Sequence, residues 1–232
     1  MLLFIDTETT GLEESDKICS LALLENNHAH YELINEKKKI PSEASAIHHI
    51  TKEMLEGKPT LIESETIEFL QKYNNSEHTL IAHNISFDIA MLKSSGFSWN
   101  GGVIDTLRVT KHLIPECEQF SLQFLRYELR LYKQENLLLK KYGIKDALYA
   151  HHALSDALVN ELLFEYLLEM SSVEKMLELT FKNVLLEKFN FGKYKGRYIE
   201  EICLNDLSYA QWLLNSSSDE DMIYSLNYYL QG

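Results

Sequence analysis

Apolar positions along this 232-residue chain fall into short continuous runs and helical stripes that alternate over most of its length. Leu2-Leu3-Phe4-Ile5 is an apolar run of the kind a buried strand shows, and it gives way to a turn at Gly11. Lys17 to Leu24 predicts a second strand and His28 to Ile34 a third, an antiparallel meander that turns at Glu25-Asn26-Asn27. Glu36-Lys37-Lys38-Lys39, ahead of Pro41, reads as a solvated basic loop. Thr51 suits an N-cap for a short helix over Lys52–Glu56, which Gly57 and Pro59 close. Ile62, Thr66, Phe69, Leu70 and Tyr73 keep helical spacing. Thr79–Ala82 predicts a buried strand and Ile85 to Lys93 the helix after it. Val103-Ile104 predicts one more short strand, feeding a helix over Thr106–Leu113. Ser121 stands where it would cap a helix to Leu129, Lys133 to Lys145 reads as basic and irregular, and a long helix follows from His152 to Met170.

Strands alternating with helices after an opening meander indicate an α/β domain with a mixed sheet flanked by helices. Its expected end is near Ser171-Ser172, giving residues 1–171 as the main domain and 172–232 as a small appended α+β segment. In that segment Phe189 to Tyr198 interleaves aromatics with bases and glycines, as a hairpin would. Helical patterns over Asp206–Leu214 and Asp219–Leu230 follow, parted by Ser216-Ser217-Ser218.

Composition narrows the function classes. A hydrophobic content of 45% and a charged content of 25% are ordinary for a globular chain that buries one sizeable core. No apolar run is long enough to cross a bilayer, and the first strand is too short and too acidic for a secretory signal. Cys19, Cys117 and Cys203 are odd in number and far apart, which fits reduced thiols in a cytoplasmic protein. A net charge of −13 argues against a general polyanion binder, so any nucleic-acid contact must rest on local bases or bound metal. From Lys182 to Arg197 runs a tract in which five bases face a single acid, Glu187, a local charge of +4. With Phe189, Phe191, Tyr194 and Tyr198 interleaved it fits phosphate contact combined with base stacking, and it fits equally a packing hairpin with a solvated edge.

The acids carry the chemistry. Asp6 and Glu8 lie two apart at the end of a strand, so both side chains project from one face. Side by side they repel unless protons or a hard divalent cation such as Mg²⁺ intervene; alone, the pair also fits a strand end with two solvated acids. Asp88 sits in Ile85-Ser86-Phe87-Asp88-Ile89-Ala90-Met91-Leu92 and Asp156 in Ala153-Leu154-Ser155-Asp156-Ala157-Leu158-Val159, both apolar on almost every side. A buried carboxylate costs several kcal/mol unless it is paired or metal-bound, and no Lys or Arg lies one turn away on either helix. Either acid alone fits a hydrogen-bonded core residue. Together with Asp6 and Glu8 they make four carboxylates in need of counter-charge, as a two-metal phosphoryl-transfer site requires. His151 would stand about 140° from Asp156 on a regular helix, so it belongs in the loop entering that helix, placed to act as a general base. His152 reads as a surface residue.

Asp6-Thr7-Glu8-Thr9-Thr10-Gly11-Leu12, His83-Asn84-Ile85-Ser86-Phe87-Asp88 and His151-His152-Ala153-Leu154-Ser155-Asp156-Ala157 occur in that order. Three such spaced motifs resemble the DEDD exonucleases of the histidine subclass, a family that includes polymerase proofreading subunits. Ala46-Ile47-His48-His49-Ile50-Thr51 and Asp105-Thr106-Leu107 look like the same family. Phe191-Gly192-Lys193-Tyr194-Lys195-Gly196 and Tyr209-Ala210-Gln211-Trp212-Leu213-Leu214 resemble an appended segment found in one branch of it. Glu135 to Tyr149 matches no motif. The resemblance implies a ribonuclease-H-like fold and a 3′→5′ exodeoxyribonuclease that uses two Mg²⁺ or Mn²⁺ ions, acting in DNA repair or proofreading. It implies that Asp6, Glu8 and Asp156 hold the first metal, that Asp6 bridges to the second, and that Asp88 completes the site directly or through water. It further implies His151 as the base, and Thr10, Gly11, Leu12 and Asn84 as contacts to a single-stranded or frayed DNA 3′ end, with the appended segment as a second DNA contact. Two alternatives stay open: an exoribonuclease of the same family, and a nucleic-acid-binding module without catalysis.

Overall fold

The computed structural model describes residues 1–231. Its sheet has five strands, β1 (Leu2–Thr9), β2 (Ile18–Glu25), β3 (His28–Leu33), β4 (Thr79–Ala82) and β5 (Gly102–Asp105), in the spatial order β3-β2-β1-β4-β5. The meander β1-β2-β3 is antiparallel, whereas β4 and β5 join β1 in parallel. Parallel neighbours need crossover helices, which accounts for the switch from meander to β/α alternation. The helices are α1 (Ser42–His48), α2 (Glu65–Lys72), α3 (Ile85–Ser94), α4 (Thr106–Leu113), α5 (Leu122–Glu128), α6 (Glu135–Tyr142), α7 (Ala153–Leu168), α8 (Val173–Thr180), α9 (Ile199–Asn205), α10 (Leu207–Ser216) and α11 (Glu220–Gln231). The mixed sheet with flanking helices is therefore as expected, and β4 and α4 have the expected bounds.

Alternation along β1 sorts its side chains onto two cores. Phe4 packs with Ala22, Leu24, Ile81 and Ile104 against α7, while Leu3 and Ile5 pack with Leu21, Leu23 and Leu80 against α2 and α3. A third core, built on Phe189, Ile199, Ile202, Leu213, Met222 and Leu226, belongs to the appended segment.

Several local expectations are corrected. Lys52–Glu56 is one 3₁₀ turn, Glu53–Leu55, and the helix in this region is α1, which follows Pro41 and buries Ala44 and His48. Lys133 to Lys145 is mostly ordered as α6, a helix that buries only Leu138 and so shows no apolar stripe in sequence. Phe189 to Tyr198 is a loop closed by the single bridge Lys188–Tyr198, with α9 starting directly after it. Beyond Ser171-Ser172, α8 places Met176 and Leu179 in the first core, so this helix stays with the sheet. Among the described residues no helix is long and apolar enough to cross a membrane. The three cysteines are free, with Cys19 and Cys203 buried.

Candidate active site

Asp6 and Glu8 share the face of β1 that carries Phe4, the face covered by α7, and α7 contributes Asp156 from its first turn. Carboxylate oxygens of Asp6, Glu8 and Asp156 all lie within 4.8 Å of one another. Asp88 arrives from the opposite face of the sheet, on α3, where the Thr7 hydroxyl donates to its Oδ1 at 2.7 Å. It lies outside the tight triad yet close enough to repel Asp6 and Glu8 electrostatically. A register irregularity at Glu8/Thr9 ends the regular β1-β2 ladder beside these acids, a common place for such a device.

Burial and mutual repulsion dominate the electrostatics. Burial, with repulsion from Asp156, Asp88 and Glu8, holds the Asp6 carboxyl well above the usual carboxylate range. Burial and the charges of Asp156 and Asp88 push Glu8 up to about 8. Burial pushes Asp88 up to about 7 against the Thr7 hydrogen bond, which favours its ionised form. Asp156 is also raised by burial, opposed by the His151 N–H and by Gln123. All-oxygen donors that cannot ionise together without a counter-charge fit a hard divalent cation such as Mg²⁺ or Mn²⁺.

His151 is exposed in the loop just ahead of α7, as expected, with a left-handed backbone at φ 58°. Its N–H donates to Asp156 Oδ2 at 2.8 Å, so the base candidate and the metal-ligand candidate are joined through the backbone. The adjacent His152 corrects its sequence reading: it is half-buried, stacks on Tyr31 with ring centroids 4.6 Å apart, and occupies the N-cap of α7. Burial pushes its imidazole pKa down.

The turn after β1 is built around a buried acid that sequence reasoning missed, Asp16. Its Oδ1 accepts the Thr10 hydroxyl at 2.8 Å and pairs with Lys38 at 2.7 Å, while Oδ2 accepts the Glu13 N–H at 3.0 Å. A Cβ on Gly11 would stand 2.4 Å from Asp16 Oδ2, so any larger residue would have to displace that carboxylate from its hydrogen bonds. Thr10 thus has its side chain turned into the loop, with its hydroxyl committed to Asp16, whereas Leu12 projects into solvent at 83% exposure. Asn84, in a left-handed conformation at φ 71°, is exposed and precedes α3; its N–H donates to Asp105, which also caps α4. A cleft of about 600 Å³ opens beside Asn84, with Lys93, Arg108, Lys111 and Phe181 on its walls. His48, from the Ala46–Thr51 stretch, is buried behind this turn, its Nδ1 accepting the Ile50 N–H and its Nε2 3.7 Å from Cys19 Sγ.

Gln123 was also missed: its Nε2 donates to Asp156 Oδ1 at 2.6 Å, and its Oε1 accepts from Arg126. The basic tract is mostly self-neutralised, since Lys182 pairs with Glu178, Lys193 with Asp206 and Arg197 with Glu201. Phe189 is core, and Phe191, Lys195 and Tyr198 remain exposed.

Comparison with known proteins places this geometry among nucleases. A family model described as Exonuclease matches residues 3–164, and one described as Exodeoxyribonuclease X-like C-terminal matches residues 189–217. The chain is 29% identical over 240 residues to exodeoxyribonuclease 10 of Escherichia coli strain K12, covering 100% of this chain and 99% of that protein. It is 31% identical over 164 residues to the DNA polymerase III subunit epsilon of Rickettsia prowazekii, covering 62% of this chain and 68% of that protein. The solved structure of exonuclease X in complex with 5′ overhanging duplex DNA superposes with a TM-score of 0.61 at 27% identity, covering 78% of this chain and 99% of that one.

Proposed function

Because the chain belongs to the exonuclease family, we propose that it is a metal-dependent 3′→5′ exodeoxyribonuclease releasing nucleoside monophosphates from single-stranded or frayed DNA ends. The observation that carries this reading is the convergence of Asp6, Glu8 and Asp156 oxygens within 4.8 Å of one another, with Asp88 and His151 beside them. The relatives named for DNA work support DNA as the polymer, and those that belong to a replicative polymerase suit a repair or proofreading setting.

In this reading Asp6, Glu8 and Asp156, with Asp88 beside them, would hold the divalent cations. Bound there, two cations supply charge stabilisation to the attacking and leaving oxygens of an in-line displacement. His151, exposed at the mouth of the site, is the group placed to take a proton from the attacking water. The exposed Leu12 packs against the terminal base, with the Gly11 backbone at its side. Asn84 and the cleft walls at Lys93 and Lys111 receive the strand behind it. Exposed Phe191, Lys195 and Tyr198 offer a second contact from residues 172–232.

Digestion of a 5′-labelled oligodeoxynucleotide with Mg²⁺ tests the proposal, beside a matched RNA. Stepwise shortening from the 3′ end with mononucleotide release is expected, and chelation of metal should stop it. Asp6→Ala should lower turnover by about 10³-fold or more while leaving the fold intact, as loss of a metal ligand from a two-metal site does. Full activity in that variant, or a preference for RNA, overturns the assignment of site or polymer.

A further inference from the structure

Arg126 on α5 is 6% exposed, and its donors are distributed with care. Nε and Nη2 grip the two oxygens of Glu135 on α6 at 2.6 and 2.8 Å, and Nη2 also reaches the Leu148 carbonyl at 3.2 Å. Nη1 donates to Gln123 Oε1 at 3.1 Å, and the other end of that amide donates to Asp156 Oδ1 at 2.6 Å. The second oxygen of Asp156 receives the His151 N–H. One buried guanidinium therefore touches two helices, the backbone three residues before His151 and, through a single amide, an acid of the metal pocket. Guanidinium has donors and no acceptor, so it fixes which way the Gln123 amide points: oxygen toward Arg126, NH₂ toward Asp156. Rotated the other way, the amide would set its oxygen against a carboxylate.

We propose that Arg126 is a positioning residue, orienting Gln123 and the Leu148–His151 backbone so that Asp156 and His151 meet in one geometry. A plain helix-to-helix ion pair needs only the contact with Glu135. The activity arm of the test rests on the exonuclease reading, whereas the exchange arm does not.

Arg126→Lys keeps the charge and loses the fork, and Gln123→Met removes the donor to Asp156 while leaving Arg126 and Glu135 together. In metal-free protein the His151 amide should exchange with solvent about tenfold faster in both variants, with the strands of the sheet protected as before. Affinity for Mn²⁺ should fall about 10- to 100-fold, the usual effect of removing a partner of a metal ligand. On an oligodeoxynucleotide kcat should fall by a similar factor with KM unchanged. Wild-type exchange at His151 in folded Arg126→Lys protein overturns the proposal. So does a Gln123→Met protein with unaltered exchange and Mn²⁺ affinity, or a general loosening of all amides with KM rising, the mark of a purely structural pair. Wild-type protein that neither binds Mn²⁺ nor shortens a strand defeats the exonuclease reading, and the exchange comparison still decides the role of Arg126.

Discussion

Glu8 and Asp88 bind protons more tightly in the fold than in the unfolded chain, at about 8 and about 7 against ordinary carboxylate values. A group of this kind contributes stability that is complete below its unfolded pKa and is lost as pH rises through its folded pKa. Metal-free protein is therefore expected to lose melting temperature steadily from about pH 5 to about pH 8, and saturating Mg²⁺ should restore it at the upper end by replacing the lost protons. Circular-dichroism melts along a pH series check this; a flat profile without metal contradicts it. Asp88 was legible in sequence because a carboxylate inside an apolar run has few affordable reasons to be there, and Glu8 because it shares a strand face with Asp6 two positions before it. Gln123, Arg126 and Asp16 gave no such signal, since a polar residue of a short helix or an acidic turn reads as solvated until the fold brings its partner to it. The His151-His152 pair shows the same limit: neighbours of one residue type were separable only by the packing of Tyr31 on His152.

At the scale of elements, legibility followed burial. The strand β1 and the helix α7, buried on most sides, announce themselves as apolar runs, and β4 and α4 have flanking residues that fix their ends. Short helices that bury one or two residues, α1 and α6, leave no stripe to read. α8 was hidden for another reason, falling beyond a serine pair that resembled a seam. Ser172 instead caps it, its side chain accepting the Lys175 N–H at 3.3 Å. Met176 on this helix is fully buried in the first core. Met176→Ala should therefore cost about 2–5 kcal/mol in urea unfolding of the main domain. A loss below about 1 kcal/mol would assign α8 to the appended segment instead.

At the scale of the whole molecule, one buried acid of residues 182–231 reaches back to the sheet's helices. Asp221 on α11 accepts Arg108 Nη1 and Nη2 from α4 at 3.2 and 3.1 Å and the Val184 N–H at 2.9 Å. Asp221→Ala leaves a guanidinium that is 28% exposed, so the cost should sit near the lower end for a broken buried pair, about 3 kcal/mol, read as an earlier unfolding of residues 182–231 by proteolysis. Unchanged resistance to protease would show that the third core keeps the segment folded without this pair. With a net charge of −13 and a largely self-paired basic tract, the molecule does not attract a polyanion broadly. Affinity for a strand end is therefore expected to rest on the acid pocket charged with divalent cations together with the local bases Lys93, Lys111 and Lys195. The most direct test is a crystal of the protein with Mn²⁺ and a short oligonucleotide, read by anomalous scattering. The account predicts manganese peaks bounded by Asp6, Glu8, Asp88 and Asp156, with the 3′-terminal phosphodiester against them. A well-ordered strand with no manganese between those four side chains would contradict it.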